Sequence, residues 1–193
     1  MLINLRGTHG SGKSTAIRAL MEKSNVRPIF GKTFGFRCPE GYKARLPEIE
    51  ADLFVLGPYT AQCGGCDRIQ PYSLISALIE KYAERGHVVF EGSLISTCWG
   101  VIGGLLERWK RDAIIVFLDT QVEECVRRVR TRRLERGDER KFDPSLLMQK
   151  HATIARLKQK IDTVGIIQTR MVSGENAASV IIDLLEQRPT SCD

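Results

Sequence analysis

Between positions 7 and 14 the chain reads Gly7-Thr8-His9-Gly10-Ser11-Gly12-Lys13-Ser14, with Thr15 next, filling every fixed position of the pattern G-x-x-x-x-G-K-[ST]. These residue types at this spacing bind phosphate. Glycines let successive backbone N–H groups turn inward around an anion, where a side chain at Gly10 or Gly12 would crowd it. Lys13 adds a movable positive charge, Ser14 a hydroxyl ligand for Mg2+, and a helix starting there its positive dipole end. A second candidate is the carboxylate that closes the apolar run His87-Val88-Val89-Phe90-Glu91 before Gly92. A strand-end acid of this kind can hold a metal through water or take a proton from an attacking hydroxyl; it also reads as an ordinary solvated strand end. A third candidate is cationic. Arg128, Arg132 and Arg136 recur every four residues, so on a helix they share an edge opposite Val122, Val126 and Val129. The same edge also reads as a solvated face paired with Glu123, Glu124 and Glu135.

The stretch Gly57 to Asp67 is the least ordinary in composition. It follows a strand candidate and precedes a helix, where loops at the carboxyl end of an α/β sheet hold ligands. Tyr59 offers a ring for stacking, Asp67 a carboxylate that could orient or deprotonate a hydroxyl or simply cap a helix, and Arg68 a neighbouring cation. These three are the candidate acceptor-binding residues. Cys63 and Cys66 make one C-x-x-C, half of a zinc site with no second pair at ligand spacing. Upstream, Lys32, Phe34, Phe36, Arg37, Tyr42, Lys43 and Arg45 interleave aromatics with cations, a mixture that suits a nucleobase on a phosphodiester backbone and equally a core edge.

Around these residues, Leu2 to Leu5 reads as a strand and Lys13 to Ser24 as a helix with Ala16, Ile17, Leu20 and Met21 on one face. The segment from Arg27 to Tyr59 is choppy apart from a strand at Leu53 to Leu56. Further helices are expected at Pro71 to Arg85, Val101 to Arg111, Val122 to Arg136 and Pro144 to Ile161, and a last one capped by Ser173 through Leu185. Strands are expected at His87 to Phe90, at Ala113 to Leu118, whose unbroken apolar run marks a strand buried on both faces, and at Val164 to Gln168. Alternation of this kind predicts a parallel sheet covered on both faces.

With 193 residues the chain has the size of one α/β domain, and 42% hydrophobic with 27% charged residues exclude disorder. Lys and Arg number 29 against 23 Asp and Glu, a formal charge of +6 that favours a polyanionic partner. No apolar run is long enough to span a bilayer and no signal segment opens the chain, so a soluble, cytoplasmic protein without a membrane partner is expected. Six scattered cysteines fit reduced thiols better than a disulfide framework.

The loop at Gly7 to Ser14, the Glu91 strand end, and the passage from Phe117-Leu118-Asp119 through Glu123 to Arg128 and Arg132 resemble the P-loop nucleoside and nucleotide kinases. The resemblance implies a three-layer α/β fold with about five parallel strands, and transfer of the γ-phosphoryl group of ATP with Mg2+ as cofactor. By the same resemblance residues 7–15 bind ATP, Lys13, Arg128 and Arg132 neutralise the transferring group, Ser14 and Glu91 hold the metal, and Glu91 or Asp67 takes the proton. It further implies a single kinase domain over residues 1–193, with 28–70 as an acceptor-binding insertion, 127–141 as a lid-like segment and Gln168-Thr169-Arg170 near the adenine. Two departures stand out: no Asp-Arg-aromatic motif follows the Glu91 strand, and 28–68 matches no usual nucleoside-monophosphate pocket. The more specific likeness is to the 5-hydroxymethyluridine DNA kinases of bacteriophages, which implies DNA containing a modified pyrimidine as partner, in the host cytoplasm. Such a base would be reached in a single strand or flipped out. The alternatives are a kinase for a free nucleoside or nucleoside monophosphate, and a P-loop ATPase or nucleotide-binding module with no acceptor.

Overall fold

Side chains in the central strands alternate between the two faces of the sheet with a period of two, which builds two cores. The structure, a computed structural model, describes residues 1–31, 38–61 and 63–187. Along the chain come β1 (Leu2–Arg6), α1 (Lys13–Glu22), β2 (Asn25–Ile29), β3 (Gly41–Arg45), β4 (Leu53–Leu56), α2 (Ser73–Ala83) and β5 (His87–Glu91). Then follow α3 (Ser93–Thr97), α4 (Gly103–Arg108), β6 (Ala113–Leu118), α5 (Val122–Glu135), α6 (Ser145–Val164), β7 (Gln168–Val172) and α7 (Ala177–Glu186). Single 3-10 turns form at Cys66–Arg68 and Trp99–Val101.

The sheet has seven strands in the order β2-β3-β4-β5-β1-β6-β7. Five of them, β4-β5-β1-β6-β7, are parallel, while β2 and β3 extend the edge in antiparallel fashion. The expected five or so parallel strands are therefore present, and the 25–45 segment adds two antiparallel strands that the expectation did not include. Pro28 sits in β2, the outermost strand, where a missing ladder N–H is tolerated.

Leu2, Phe54, Val88, Phe90, Ile115 and Phe117 face a core closed by α2, α3, α4 and α6. Their neighbours Ile3, Leu5, Val55, Val89, Ile114 and Val116 face a core closed by α1 and α7. Three layers result, with helices on both faces. Each of these side chains is essentially free of solvent, and full burial stabilises by about 1.5–3 kcal/mol per large aliphatic residue. A smaller cluster of Cys125, Val129 and Leu147 joins α5 to α6. No described helix is long and apolar enough to cross a membrane.

Two expected boundaries move. Val164 to Gln168 is not the last strand: α6 continues to Val164 and is stopped by Gly165, whose left-handed φ of 67° suits a C-cap glycine, so β7 begins at Gln168. Ser173 Oγ accepts from the Asn176 N–H at 3.3 Å, yet the helix proper starts at Ala177. Gln168, Thr169 and Arg170 accordingly lie within β7, paired with β6. Because the five central strands are parallel, their carboxyl ends lie along one edge, and the segments leaving β1, β4, β5 and β6 meet there.

Candidate active site

At that edge the loop between β1 and α1 turns through Gly10 and Gly12, with left-handed φ values of 79° and 100°. Gly10 is constrained twice, since a Cβ there would also lie 2.5 Å from the carbonyl oxygen of Cys125 on α5. Thr120 Oγ1 donates to the Ser11 carbonyl at 2.9 Å, and Gly7 N–H donates to Ser96 Oγ at 3.3 Å, fastening the loop to both neighbouring strands' ends.

Lys13 is buried, and its Nζ donates to the carbonyls of Gly7 at 2.8 Å and Thr8 at 3.0 Å. Burial lowers its pKa, opposed by the nearby Glu91 carboxylate. Glu91, 2% exposed at the end of β5, shows the reverse: burial raises its pKa while Lys13 and the hydrogen bond from Ser14 pull it back. Ser14 Oγ donates to Glu91 Oε1 at 2.7 Å, and Tyr59 Oη donates to the same oxygen at 3.4 Å. Gly65, at φ 81°, closes over this carboxylate so tightly that a Cβ would come within 2.6 Å of Oε1. Tyr59 itself is 8% exposed, its ring beneath the Arg18 guanidinium at 5.8 Å and tilted against Tyr42. Its hydroxyl is pushed well above the ordinary phenol range by burial and by Glu91.

Asp67 stands exposed on the 3-10 turn after β4. Both carboxylate oxygens accept from the Ser93 N–H, at 2.8 and 2.7 Å, and Oδ1 also accepts from the Leu94 N–H at 3.1 Å. It does cap a helix, but the helix is α3, 26 residues away in sequence, rather than its own. His9 completes this wall, with Nε2 2.9 Å from Ser93 Oγ and 3.2 Å from Lys150 Nζ. Burial, then Lys13 and Lys150, push His9 down to about 4, so the ring is neutral at pH 7 with Nε2 as acceptor and the proton on Nδ1.

The opposite wall is α5. Arg128 Nε donates to Glu124 Oε1 at 2.6 Å while its Nη1 reaches the Gly10 carbonyl at 3.5 Å. Glu124, held by Arg127 and Arg128, stays near 2. A cleft of about 340 Å³ lies between the walls, lined by Lys13, Ser14, Asp67, Glu91, Arg128 and Arg132 among others. Every residue of the expected catalytic set thus reaches one cavity.

Other expected residues are placed differently. Arg68 is exposed on the turn beside Asp67 and does not line the cleft. Thr8 and Ser11 are buried under the loop, whereas Thr15 lines the cleft. Cys63 lines the cleft while Cys66 is buried in the core, which raises its thiol pKa well above the ordinary range, so the C-x-x-C splits between two environments. Lys32, Phe34, Phe36 and Arg37 lie outside the described residues.

Several contributors carry no flag in the sequence. Arg18 enters the cleft one helical turn after Ser14, to whose carbonyl it donates at 3.4 Å, a placement that i,i+4 spacing could have revealed. Arg127 joins it from α5. Arg6 lies wholly buried beneath the loop, its Nε donating to Asn4 Oδ1 at 2.5 Å and its guanidinium 5.3 Å from the Trp99 ring. Its two terminal nitrogens find no hydrogen-bond partner among the described residues, and burial brings its pKa down to about 9.

No known family profile matches the chain. Individual proteins do. A 5-hmdU DNA kinase of Pseudomonas phage PaMx11 is 33% identical over 171 residues, covering 86% of this chain and 87% of that one. A 5-hmdU DNA kinase of Pseudomonas phage M6 is 29% identical over 169 residues, covering 82% and 83%. Among solved structures, a deoxyadenosine kinase from M. mycoides with dCMP and dCDP bound superposes with a TM-score of 0.52 at 10% identity, covering 97% of this chain and all of that one. That level of identity establishes the fold alone. The phage sequences go further, because they match over most of their length at a level that fold likeness by itself does not give, and so the chain belongs to the 5-hmdU DNA kinase family.

Proposed function

We propose that this protein is an ATP-dependent kinase that transfers the γ-phosphoryl group to the hydroxymethyl oxygen of 5-hydroxymethyluridine in DNA. The observation that carries this reading is the 33% identity to the PaMx11 enzyme across 86% of the chain. The geometry of the cleft supports it, and the whole chain acts as one kinase domain.

In this reading the backbone N–H groups of residues 7–15 cradle the donor phosphates, and Lys13 neutralises the charge that grows between the β- and γ-phosphates. Ser14 Oγ and Glu91 Oε1, 2.7 Å apart, form the oxygen donor set that a hard divalent cation prefers, and they would hold Mg2+. When bound, the ion supplies charge neutralisation at the phosphates. Tyr59 serves this arrangement by holding Glu91 rather than by stacking on a base. Arg128 and Arg132 face the transferring group from α5, with 127–141 acting as a lid over it.

Asp67 takes the proton. Its carboxylate opens on the cleft and is aimed by the Ser93 and Leu94 N–H groups, whereas Glu91 is enclosed by Ser14, Tyr59 and Gly65. The acceptor oxygen bonds to γ-phosphorus as the bond from γ-phosphorus to the β,γ-bridging oxygen breaks. The hydroxyl proton passes to Asp67, and ADP leaves. Arg68, beside Asp67, meets the acceptor strand, whose target base enters from a single strand or flipped out of a duplex. The reaction belongs in the cytoplasm of the phage host.

Label from γ-labelled ATP is expected on DNA containing 5-hydroxymethyluridine, and not on the same DNA with thymine, on a 5′-hydroxyl oligonucleotide or on free nucleosides and monophosphates. Label confined to a free nucleoside or monophosphate would overturn the DNA reading. Lys13→Ala should remain folded by circular dichroism and lose transfer at least 10³-fold, since removing one electrostatic donor to a transition state costs about 10²–10³ and a buried lysine more.

Asp67→Asn separates capping from proton transfer. Asparagine keeps the Oδ1 acceptor that serves both the Ser93 and Leu94 N–H groups and loses only the Oδ2 one, so the melting temperature should fall only slightly while kcat falls roughly 10²–10⁴-fold with little change in ATP affinity. Unchanged kcat would return Asp67 to a capping role alone.

Glu91→Gln addresses the buried carboxylate. The folded-state pKa of Glu91 is raised, so its contribution to stability is present below the unfolded value near 4.5 and is lost as pH rises through the folded one. The glutamine variant should therefore melt higher than wild type at pH 7.5, by about 2–4 °C per kcal/mol gained, with the difference closing at pH 4, while transfer is lost. A variant that melts lower at pH 7.5 would show instead that the ionised carboxylate stabilises the fold.

A further inference from the structure

On the sheet edge farthest from α5, β2 and β3 present a row of cations. Arg27 lies directly opposite Lys43 and Asn25 opposite Arg45 in the antiparallel register. Directly opposed residues share a face, as do residues two apart along a strand, so all four side chains project on the same side. They enclose a concavity of about 340 Å³. Asn25, Arg27 and Arg45 are exposed, and Lys43 is 37% exposed.

The acid that answers them is Asp52, 2.5 Å from Lys43 Nζ and 3.3 Å from Arg45 Nε. Arg27 has no ion-pair partner among the described residues. Three cations against one carboxylate leave an excess of two positive charges on this face. Like charges directly opposite one another weaken a strand pair, so the Arg27–Lys43 juxtaposition is a cost to the fold that a polyanion laid across the face would relieve.

We propose that this face of β2 and β3 is a track for the phosphodiester backbone of the DNA substrate, an inference that rests on the DNA-directed function argued above. Its position fits that use. Lys43 is in register with Phe54, which is in register with Val88, three residues before Glu91. At a rise of about 3.3 Å per residue and a strand spacing of about 4.8 Å, the cations lie about 15–20 Å from the end of β5. At the duplex rise of about 3.4 Å per nucleotide that distance is about four to six nucleotides, and an extended single strand covers it in fewer. A strand whose modified base occupies the cleft therefore passes the track on one flank, and the contacts, being to phosphate, add affinity without reading sequence.

The test uses the full chain carrying R27Q, K43Q and R45Q together, substitutions at exposed or half-exposed positions. Binding to a labelled 30-nucleotide strand with one central 5-hydroxymethyluridine is followed by fluorescence anisotropy across a salt series, alongside phosphoryl transfer to that strand and to a trinucleotide centred on the same base. Affinity for the long strand should fall roughly tenfold or more, and the slope of log affinity against log salt should become shallower by about 2, at about 0.7 for each phosphate of a single strand no longer neutralised. Transfer to the trinucleotide, too short to reach the track, should be unchanged. Equal affinity and equal slope for variant and wild type would overturn the proposal. So would equal affinity with new self-association of the variant, which would assign the charges to protecting the sheet edge. Loss of DNA affinity on these substitutions, in a protein whose wild type transfers no label to 5-hydroxymethyluridine, would uphold the track and overturn the functional reading instead.

Discussion

The hydrogen bond from Ser14 Oγ to Glu91 Oε1 joins the first turn of α1 to the end of β5, and the rest of the site is arranged around it. It sits beside a lysine and a carboxylate that are both buried, where burial pushes each toward its neutral form and their mutual attraction opposes that only in part. Such pairs contribute little net stability, since desolvation offsets most of their attraction. What they give is position. The Lys13 Nζ is turned onto the Gly7 and Thr8 carbonyls, and the Glu91 carboxylate is enclosed by Ser14, Tyr59 and Gly65, so that the ammonium and the Ser14 and Glu91 oxygens hold fixed positions at the floor of the cleft.

The two walls of the cleft are held unequally. The loop and the Glu91 strand end rise directly from the central strands, whose side chains fill the two large cores. The α5 wall is attached through Cys125, Val129 and Leu147 with a few half-buried neighbours, and through the Arg128 contact to Gly10. Local opening free energy scales with buried apolar contact, so α5 is the part of the site that can move at least cost while the phosphate cradle stays rigid.

Much of this is legible in the sequence, for reasons that differ by element. The phosphate loop can be read because its chemistry depends on local spacing, and the buried strands because alternation or an unbroken apolar run is itself the signal. The β2 and β3 strands escape such a reading because they lie on an edge where Pro28 is tolerated and side chains such as Arg27 and Arg45 are exposed, so no apolar alternation marks them. The last strand is expected four residues early because Val164, Ile166 and Ile167 look strand-like, although Val164 still belongs to α6 and Gly165 ends it. The capping of α3 by Asp67 spans 26 residues, and the burial of Arg6 against Trp99 spans 93; neither leaves a local trace.

An acceptor carried on a polymer imposes a constraint that a free nucleoside does not. It cannot be enclosed, because its two flanking strands must leave the cleft, so binding energy from walls on all sides is replaced by contacts along the exit paths. Such contacts are necessarily to phosphate and sugar, are screened by salt, and give little discrimination, which leaves the hydroxymethyl group itself to be selected at the cleft. The distribution of charge in this chain follows that logic: one group of cations, Lys13, Arg18, Arg128 and Arg132, lines the cleft, whereas Arg27, Lys43 and Arg45 stand on the far sheet edge, about 15–20 Å from the end of β5. Cations on a sheet edge also keep other strands from pairing with it, but that does not require Arg27 directly opposite Lys43, and the cost of this juxtaposition is offset by a substrate long enough to reach both groups of cations.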